Sequence, residues 1–255
     1  MIILLSPAKT LDYKSVVTLQ ETSTPHFQKE ADTIAAAMKK FNQKQLSQLM
    51  NISHDLAQLT LERYQNWEMD TAITPLRQAI YAYKGDVYAG LDAYTWGKDQ
   101  MDIAQKQIRI LSGLYGYLRP LDLIKPYRLE MGTAVKVKTS HDLYAFWKNK
   151  ITSSIQKEIK QHPSSTVINL ASNEYAKAID FKSLNISVIS PQFLDFKNGQ
   201  FKMISFFAKK ARGMMAAYLT KYNIQDPAHI IGFSAEGYLY NSSLSTIAKP
   251  VFTRS

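Results

Sequence analysis

Three groups of residues have types and spacings that could do chemistry. In Leu111-Ser-Gly-Leu-Tyr-Gly-Tyr-Leu-Arg-Pro120, Gly113 and Gly116 lie three apart and Arg119 follows. Glycines leave backbone N–H groups bare, and such a turn can bind phosphate oxygens without reading bases. In Phe206-Phe-Ala-Lys-Lys-Ala-Arg-Gly213, helical spacing puts Lys209, Arg212, Gly213, Ala216 and Thr220 on one stripe, with Lys210 beside it. A basic stripe floored with small residues lets a phosphate backbone approach closely. The third group mixes charges in loops: Lys84-Gly-Asp86-Val-Tyr88, Pro126-Tyr-Arg128-Leu-Glu130-Met-Gly132, and Asn169 to Glu174 at the end of an expected strand. Opposite charges in a cleft suit a polar ligand or acid–base work. Each pattern also has a plain structural reading: a glycine turn packing Leu114 and Tyr117, a solvated lysine face, or ion pairs that hold loops together.

Several other chemistries lack their residues. With no cysteine there are no disulfides, thiolate metal sites or cysteine nucleophiles, and a reducing compartment, the cytoplasm, is expected. The phosphate-loop pattern fails because Asp99 follows Gly97-Lys98, and no dinucleotide fingerprint occurs. Gly232-Phe-Ser234-Ala-Glu-Gly237 has one residue too many for a nucleophile elbow. The five histidines are isolated, so no metal site and no cofactor are expected from spacing.

Charge points to a polyanionic partner. The chain carries 31 Lys and Arg against 21 Asp and Glu, net +10. Residues 1–127 contribute net +1 and residues 128–255 net +9. This asymmetry favours phosphate-rich molecules. Hydrophobic residues make up 45% of the 255, which excludes a disordered chain. No apolar run reaches the roughly 18 residues of a membrane span.

The elements that must position these residues follow from periodicity. Ile2 to Leu5 reads as a buried strand closed by Ser6-Pro7. Pro25 to Trp67 has the spacing of three helices, Pro75 opens a short one, and another runs from Asp99 to about Gln107. Leu143 to Ile159 is amphipathic, with strands at 166–170 and 186–189. Asn198-Gly199 between Phe193–Lys197 and Gln200–Ile204 predicts a tight hairpin. A helix from about Phe207 to Tyr222 follows, with Phe207, Ala211, Met214, Tyr218 and Tyr222 as its apolar stripe, and residues 237–252 close with two strands. Helices cluster early and strands are scattered, so the expected class is mixed α/β (α+β) without a βαβ rhythm. No linker or repeat divides the chain, which predicts a single domain over 1–255.

The glycine segment resembles a helix-hairpin-helix element, with one residue more than the usual G-x-G. Taken together and in order, Ser6-Pro-Ala-Lys-Thr-Leu-Asp-Tyr13, Lys84-Gly-Asp-Val-Tyr88, Leu111-Ser-Gly-Leu-Tyr-Gly116, Arg119-Pro-Leu-Asp122, Pro126–Gly132, Ile168-Asn-Leu-Ala-Ser172, Lys209-Lys-Ala-Arg-Gly213 and Glu236-Gly-Tyr238 resemble the YaaA family of bacterial peroxide-stress proteins. The resemblance implies a cytoplasmic single-domain protein of unusual fold with a basic cleft and a helix-hairpin-helix element. It further implies binding of double-stranded DNA and limitation of oxidative damage by keeping free iron low. Gly113, Gly116 and Arg119 then fall in the hairpin. Charge nominates Lys9, Arg128, Lys209, Lys210 and Arg212 for the cleft.

Two functions compete at this point. One is a non-enzymatic DNA-binding protein that contacts duplex phosphates, with no membrane and no obligate protein partner. The other is an enzyme acting on a nucleotide or nucleic acid through Asp86, Glu130, Asn169 and Glu174. Iron storage would ordinarily want clustered ligands, which the spacing does not show, so an indirect effect on iron is expected. Met203, Met214 and Met215 fall on expected core faces, and peroxide is not expected to switch the protein chemically.

Overall fold

The computed structural model describes residues 1–68 and 74–255. The chain begins with β1 (Ile2–Leu5), whose four apolar residues are all buried, and a short β2 (Thr10–Leu11). The three expected helices follow as α1 (Gln28–Met38), α2 (Gln43–Met50) and α3 (His54–Gln65). Asn42 and Ser53 cap the last two by accepting from the backbone N–H groups of Gln45 and Leu56. Pro75 does not open a helix. Arg77–Gln78 (β3) first pairs with Ile124 and Leu123, and the helical turn α4 (Ala79–Ala82) starts only after that pairing.

Next come β4 (Tyr83–Lys84), α5 (Asp86–Leu91), α6 (Lys98–Gln107), β5 (Ile108–Ser112), β6 (Gly116–Leu118) and β7 (Leu123–Ile124). The second half holds α7 (Leu143–Ile159), β8 (Thr166–Asn169), α8 (Asn173–Ala176) and β9 (Ser187–Ile189). Then follow the hairpin β10 (Gln192–Lys197) and β11 (Gln200–Lys202), α9 (Ser205–Lys221), and the antiparallel pair β12 (Leu239–Tyr240) and β13 (Val251–Arg254). Asn198 and Gly199 take φ of +54° and +80°, the positive angles that the hairpin turn requires.

The class is mixed α/β as expected, but the main sheet is more regular than the order of elements suggests. Its strands run β6-β5-β1-β8-β9, with β5, β1, β8 and β9 parallel and only β6 antiparallel. Ile3 is flanked by Ile108 on one side and Ile168 on the other. The β1–β5 and β5–β8 crossovers are far longer than one helix, which hides the parallel rhythm from a local reading. Because β5 lies on one side of β1 and β8 on the other, the strand order reverses between β1 and β8. Chains leaving the carboxyl ends of such strands diverge and open a crevice.

The helix-hairpin-helix expected at Gly113 and Gly116 is not formed there. These glycines flank the turn between strands β5 and β6, where Ser112 pairs with Gly116. Both are buried, and Gly116 (φ +70°) lies under the Trp147 ring. β-branched and aromatic residues on either side extend the backbone, so the bare N–H groups serve a buried hairpin instead of a phosphate. Helices joined by short turns lie instead earlier in the chain, α1 to α2 and α2 to α3, the second turn with Asn51 at φ +50°.

One hydrophobic core runs from Met1 to Phe252. Helix α9 enters it on a different face from the one its apolar residues suggest. Ala208, Ala211, Gly213, Met215, Ala216, Leu219 and Thr220 are buried, whereas Phe207 and Tyr222 are exposed. The stripe of small residues is therefore a helix-packing face, not a floor for phosphate. A Cβ on Gly213 would collide with the Val87 carbonyl oxygen, and one on Gly90 with that of Lys210, so α5 and α9 cross backbone to backbone. Met215 is buried as expected and Met214 is half-buried, but Met203 is exposed in the turn before α9. Among the described residues no helix is long and apolar enough to cross a membrane.

Candidate functional site

A cavity of about 470 Å³ opens at the carboxyl ends of β1 and β8, where the strand order reverses. Its walls come from loops far apart in sequence. The segment from the end of β1 into β2 supplies Ser6 to Thr10, the segment from the end of β8 into α8 supplies Leu170, Ser172 and Glu174, and 83–88 and 127–130 close the sides. Short-range ties hold these loops in place. Ser172 N–H donates to Ser6 Oγ at 2.8 Å, Tyr88 Oη–H donates to the Ser6 carbonyl at 3.0 Å, and Thr10 pairs with Lys84. The crossing at Gly213 and Gly90 sets α9 over α5 and brings Lys209 and Arg212, one helical turn apart, to the rim.

Five basic side chains, Lys9, Lys84, Arg128, Lys209 and Arg212, line the cavity with three acidic ones, Asp86, Glu130 and Glu174. Glu130 Oε1 lies 3.2 Å from Lys9 Nζ and 3.4 Å from Arg128 Nη2. Arg128 is largely buried, with 15% of its side chain exposed, and its Nε has no hydrogen-bond partner. Among the described residues Arg212 has neither an ion pair nor a hydrogen bond, and burial pulls its guanidinium below the ordinary arginine value. A half-buried charge without a partner is costly, so a cleft in which Arg212 is unpaired and Arg128 shares the single carboxylate of Glu130 with Lys9 is set up for an anion. Glu174 Oε1 accepts from Gly132 N–H at 3.1 Å, and neither Glu130 nor Glu174 is saturated by arginine.

The floor is phenolic. Tyr127 Oη contacts both Tyr83 Oη and Ser112 Oγ at 2.6 Å. Burial pushes Tyr127 up to about 12 and holds Tyr83 and Tyr88 well above the ordinary tyrosine value. These phenols stay neutral throughout the physiological range and offer no ready acid or base.

The segments that meet here, Ser6–Tyr13, Lys84–Tyr88, Pro126–Gly132 and Lys209–Gly213, are those whose order resembled one family. A family described as peroxide stress protein YaaA matches residues 1–244. The chain belongs to the YaaA family. It is 47% identical over 254 residues to a UPF0246 protein of Hahella chejuensis and 48% identical to one of Teredinibacter turnerae, covering the whole of this chain and 99% of each relative. A UPF0246 protein of Polynucleobacter necessarius is 45% identical over 98% of its own length. Membership in the YaaA family supports a role in peroxide stress.

Of the sequence-predicted residues, the YaaA-family cleft gathers Lys9, Asp86, Arg128, Glu130, Glu174, Lys209 and Arg212. Others stand apart from it. Lys210 pairs with Glu236 at 2.5 Å. Arg119 clamps the fully buried Asp122 and donates to the Thr24 carbonyl. Asn169 Oδ1 accepts from Ala171 N–H and shapes the turn after β8. Gly113 reaches the cleft only from behind, since a Cβ there would lie 2.6 Å from the carbonyl oxygen of Leu129. Its lack of a side chain lets the segment carrying Arg128 and Glu130 sit close to the sheet. The sequence does not single out the side chains of Ser6, Tyr88 and Tyr127, although Ser6 directly follows a fully apolar strand and both tyrosines lie inside the charged loop segments.

Proposed function

We propose that this protein acts in the peroxide stress response by binding duplex DNA through its phosphates at the mouth of the switch-point cleft, and so limits iron-dependent oxidative damage. The observation that carries this reading is the excess of cations on one cleft: Arg212 has no partner among the described residues, Arg128 shares Glu130 with Lys9, and Lys209 stands beside them. Phosphate contacts confer affinity without sequence preference and release counterions. Among the described residues no three His, Asp or Glu side chains converge as a metal site, so the effect on iron damage in this proposal runs through occupancy of DNA. The test is a salt titration of several unrelated duplexes. Replacing Lys209 and Arg212 together by Ala is expected to weaken all of them about equally and to flatten the log–log salt slope by about 0.9 for each phosphate that is no longer neutralised. An unchanged slope and affinity would remove α9 from the interface.

A second reading, an enzyme acting on a nucleotide or nucleic acid, is favoured by one observation. Glu130, Glu174 and Asp86 line the same cavity as the cations, and a purely phosphate-binding surface has no use for them. Conversion of nucleotide or DNA by the purified protein, abolished in Glu174→Gln, would establish it. Absence of any product with free nucleotides and with DNA would dismiss it.

A further inference from the structure

We propose that the cavity inside the cationic mouth is a site for one nucleotide unit, with its phosphate against Arg128, Lys209 and Arg212 and its nucleoside against the tyrosine floor and the carboxylates of Glu130 and Glu174. This deepens the functional reading above by naming what enters the cleft, and it rests on that reading only for the case in which the nucleotide belongs to DNA.

Three observations select this ligand. The first is size and place. About 470 Å³ is a small-molecule volume, within the roughly 300–1,000 Å³ of ligand pockets, and it is closed to a duplex. It lies where parallel sheets ordinarily take ligands, outside the carboxyl ends of strands on either side of a reversal. The second is the depth of the cations. Lys9 is 66% exposed and could meet a backbone phosphate from outside, but Arg128 lines the cavity with only 15% of its side chain exposed, so its guanidinium is met only by an anion that enters. Arg212, half-buried and without a partner among the described residues, has the same need.

The third is the company those cations keep. Glu130, Glu174 and Asp86 would repel a bare phosphate, and they become favourable only if the ligand also brings hydrogen-bond donors. Amino groups of a base and hydroxyls of a sugar are such donors. The hydroxyls of Tyr83, Tyr88 and Tyr127 are already committed to protein partners. At most 8% of each is exposed, so what these residues offer a ligand is an apolar wall of ring atoms, which suits the body of a planar base. A phosphate, a donor-rich sugar and a flat ring together describe a nucleoside monophosphate. It has two sources: a free nucleotide, or a nucleotide turned out of a DNA strand.

Calorimetric titration of the full-length protein with each 2′-deoxynucleoside 5′-monophosphate, deoxyribose 5-phosphate and inorganic phosphate tests the site. At least one nucleotide is expected to bind tenfold or more tightly than either base-free probe. Arg212→Gln is expected to lose tenfold or more of that affinity, and Glu174→Gln to change the order of preference among the bases; thermal melting of each variant checks that it folds. If no nucleotide binds better than inorganic phosphate, or if both folded variants bind every nucleotide as the natural chain does, the proposal is wrong. Duplexes with and without a single mismatch separate the sources. Preference for the mismatched duplex, competed by free nucleotide, assigns the site to DNA; tight nucleotide binding without that competition assigns it to the free pool. Salt-dependent duplex binding without any nucleotide binding would overturn this site and leave the DNA reading standing, and the reverse result would do the opposite.

Discussion

Ser172 N–H donates to Ser6 Oγ at 2.8 Å and so ties together the chain ends that leave β8 and β1. The two residues are 166 positions apart, and the bond closes the crevice between adjacent strands at the level where the cavity begins. Ser6→Ala leaves that N–H without its acceptor in a half-buried place. The expected cost is about 1 kcal/mol, or a drop of roughly 2–4 °C in Tm for a domain of this size. Differential scanning calorimetry checks it, and an unchanged Tm would show that the bond is dispensable.

The crossing of α5 and α9 should tolerate no side chain at its centre. Gly213→Ala drives a methyl group into the Val87 carbonyl and is expected to destabilise by about 3 kcal/mol or more. Gly199→Ala is the control. It sits in open space at φ +80° and is expected to cost only about 1–2 kcal/mol from its left-handed backbone. Urea denaturation of both variants should rank them in that order.

Arg119 is a structural residue in this fold. Its Nη2 lies 2.9 Å from Oδ1 of Asp122, a carboxylate with no exposed surface. Arg119→Ala strips the charge partner from a buried carboxylate, which should cost about 3 kcal/mol. Its affinity for DNA, measured on the folded fraction, should match that of the natural chain. A selective loss of DNA binding without loss of stability would return Arg119 to the interface.

His162 should make stability depend on pH. Burial, helped by the N-terminal amine and Arg109, lowers it from 6.5 to about 4. Between those values the unfolded chain binds more protons at this residue than the folded one does, so its contribution is fully present above about 6.5 and is lost as pH falls towards 4. His162→Gln is expected to flatten the decline in urea midpoint between pH 7 and pH 5. Parallel declines in the two proteins would assign the effect to other groups.

Met203 is the methionine that peroxide should reach first among Met203, Met214 and Met215. It is 57% exposed, whereas Met215 is fully buried. Mass spectrometry of peptides after mild peroxide treatment should find sulfoxide at Met203 before Met215. DNA affinity should stay the same, since Met203 is not among the residues that line the cleft. A change reversed by methionine sulfoxide reduction would make oxidation a switch.

Local chemistry was enough to specify the local elements. The unbroken apolar run of Ile2 to Leu5, the helical period from Leu143 to Ile159 and the Asn198-Gly199 turn each formed where their residues required, because each depends on neighbours a few positions away. The family likewise followed from blocks of residues in order. Tertiary structure alone decided the meaning of the glycines and charges. Gly113 and Gly213 have the same freedom whether they expose backbone to a phosphate or admit another backbone, and only the positions of Leu129 and Val87 show that they do the latter. Arg119 and Arg212 are the same residue type, yet one meets Asp122 and the other meets no acid among the described residues. The cleft itself depends on β1 pairing with both β5 and β8 across more than a hundred residues. Such pairing is set by the packing of the whole core, which no window of sequence contains.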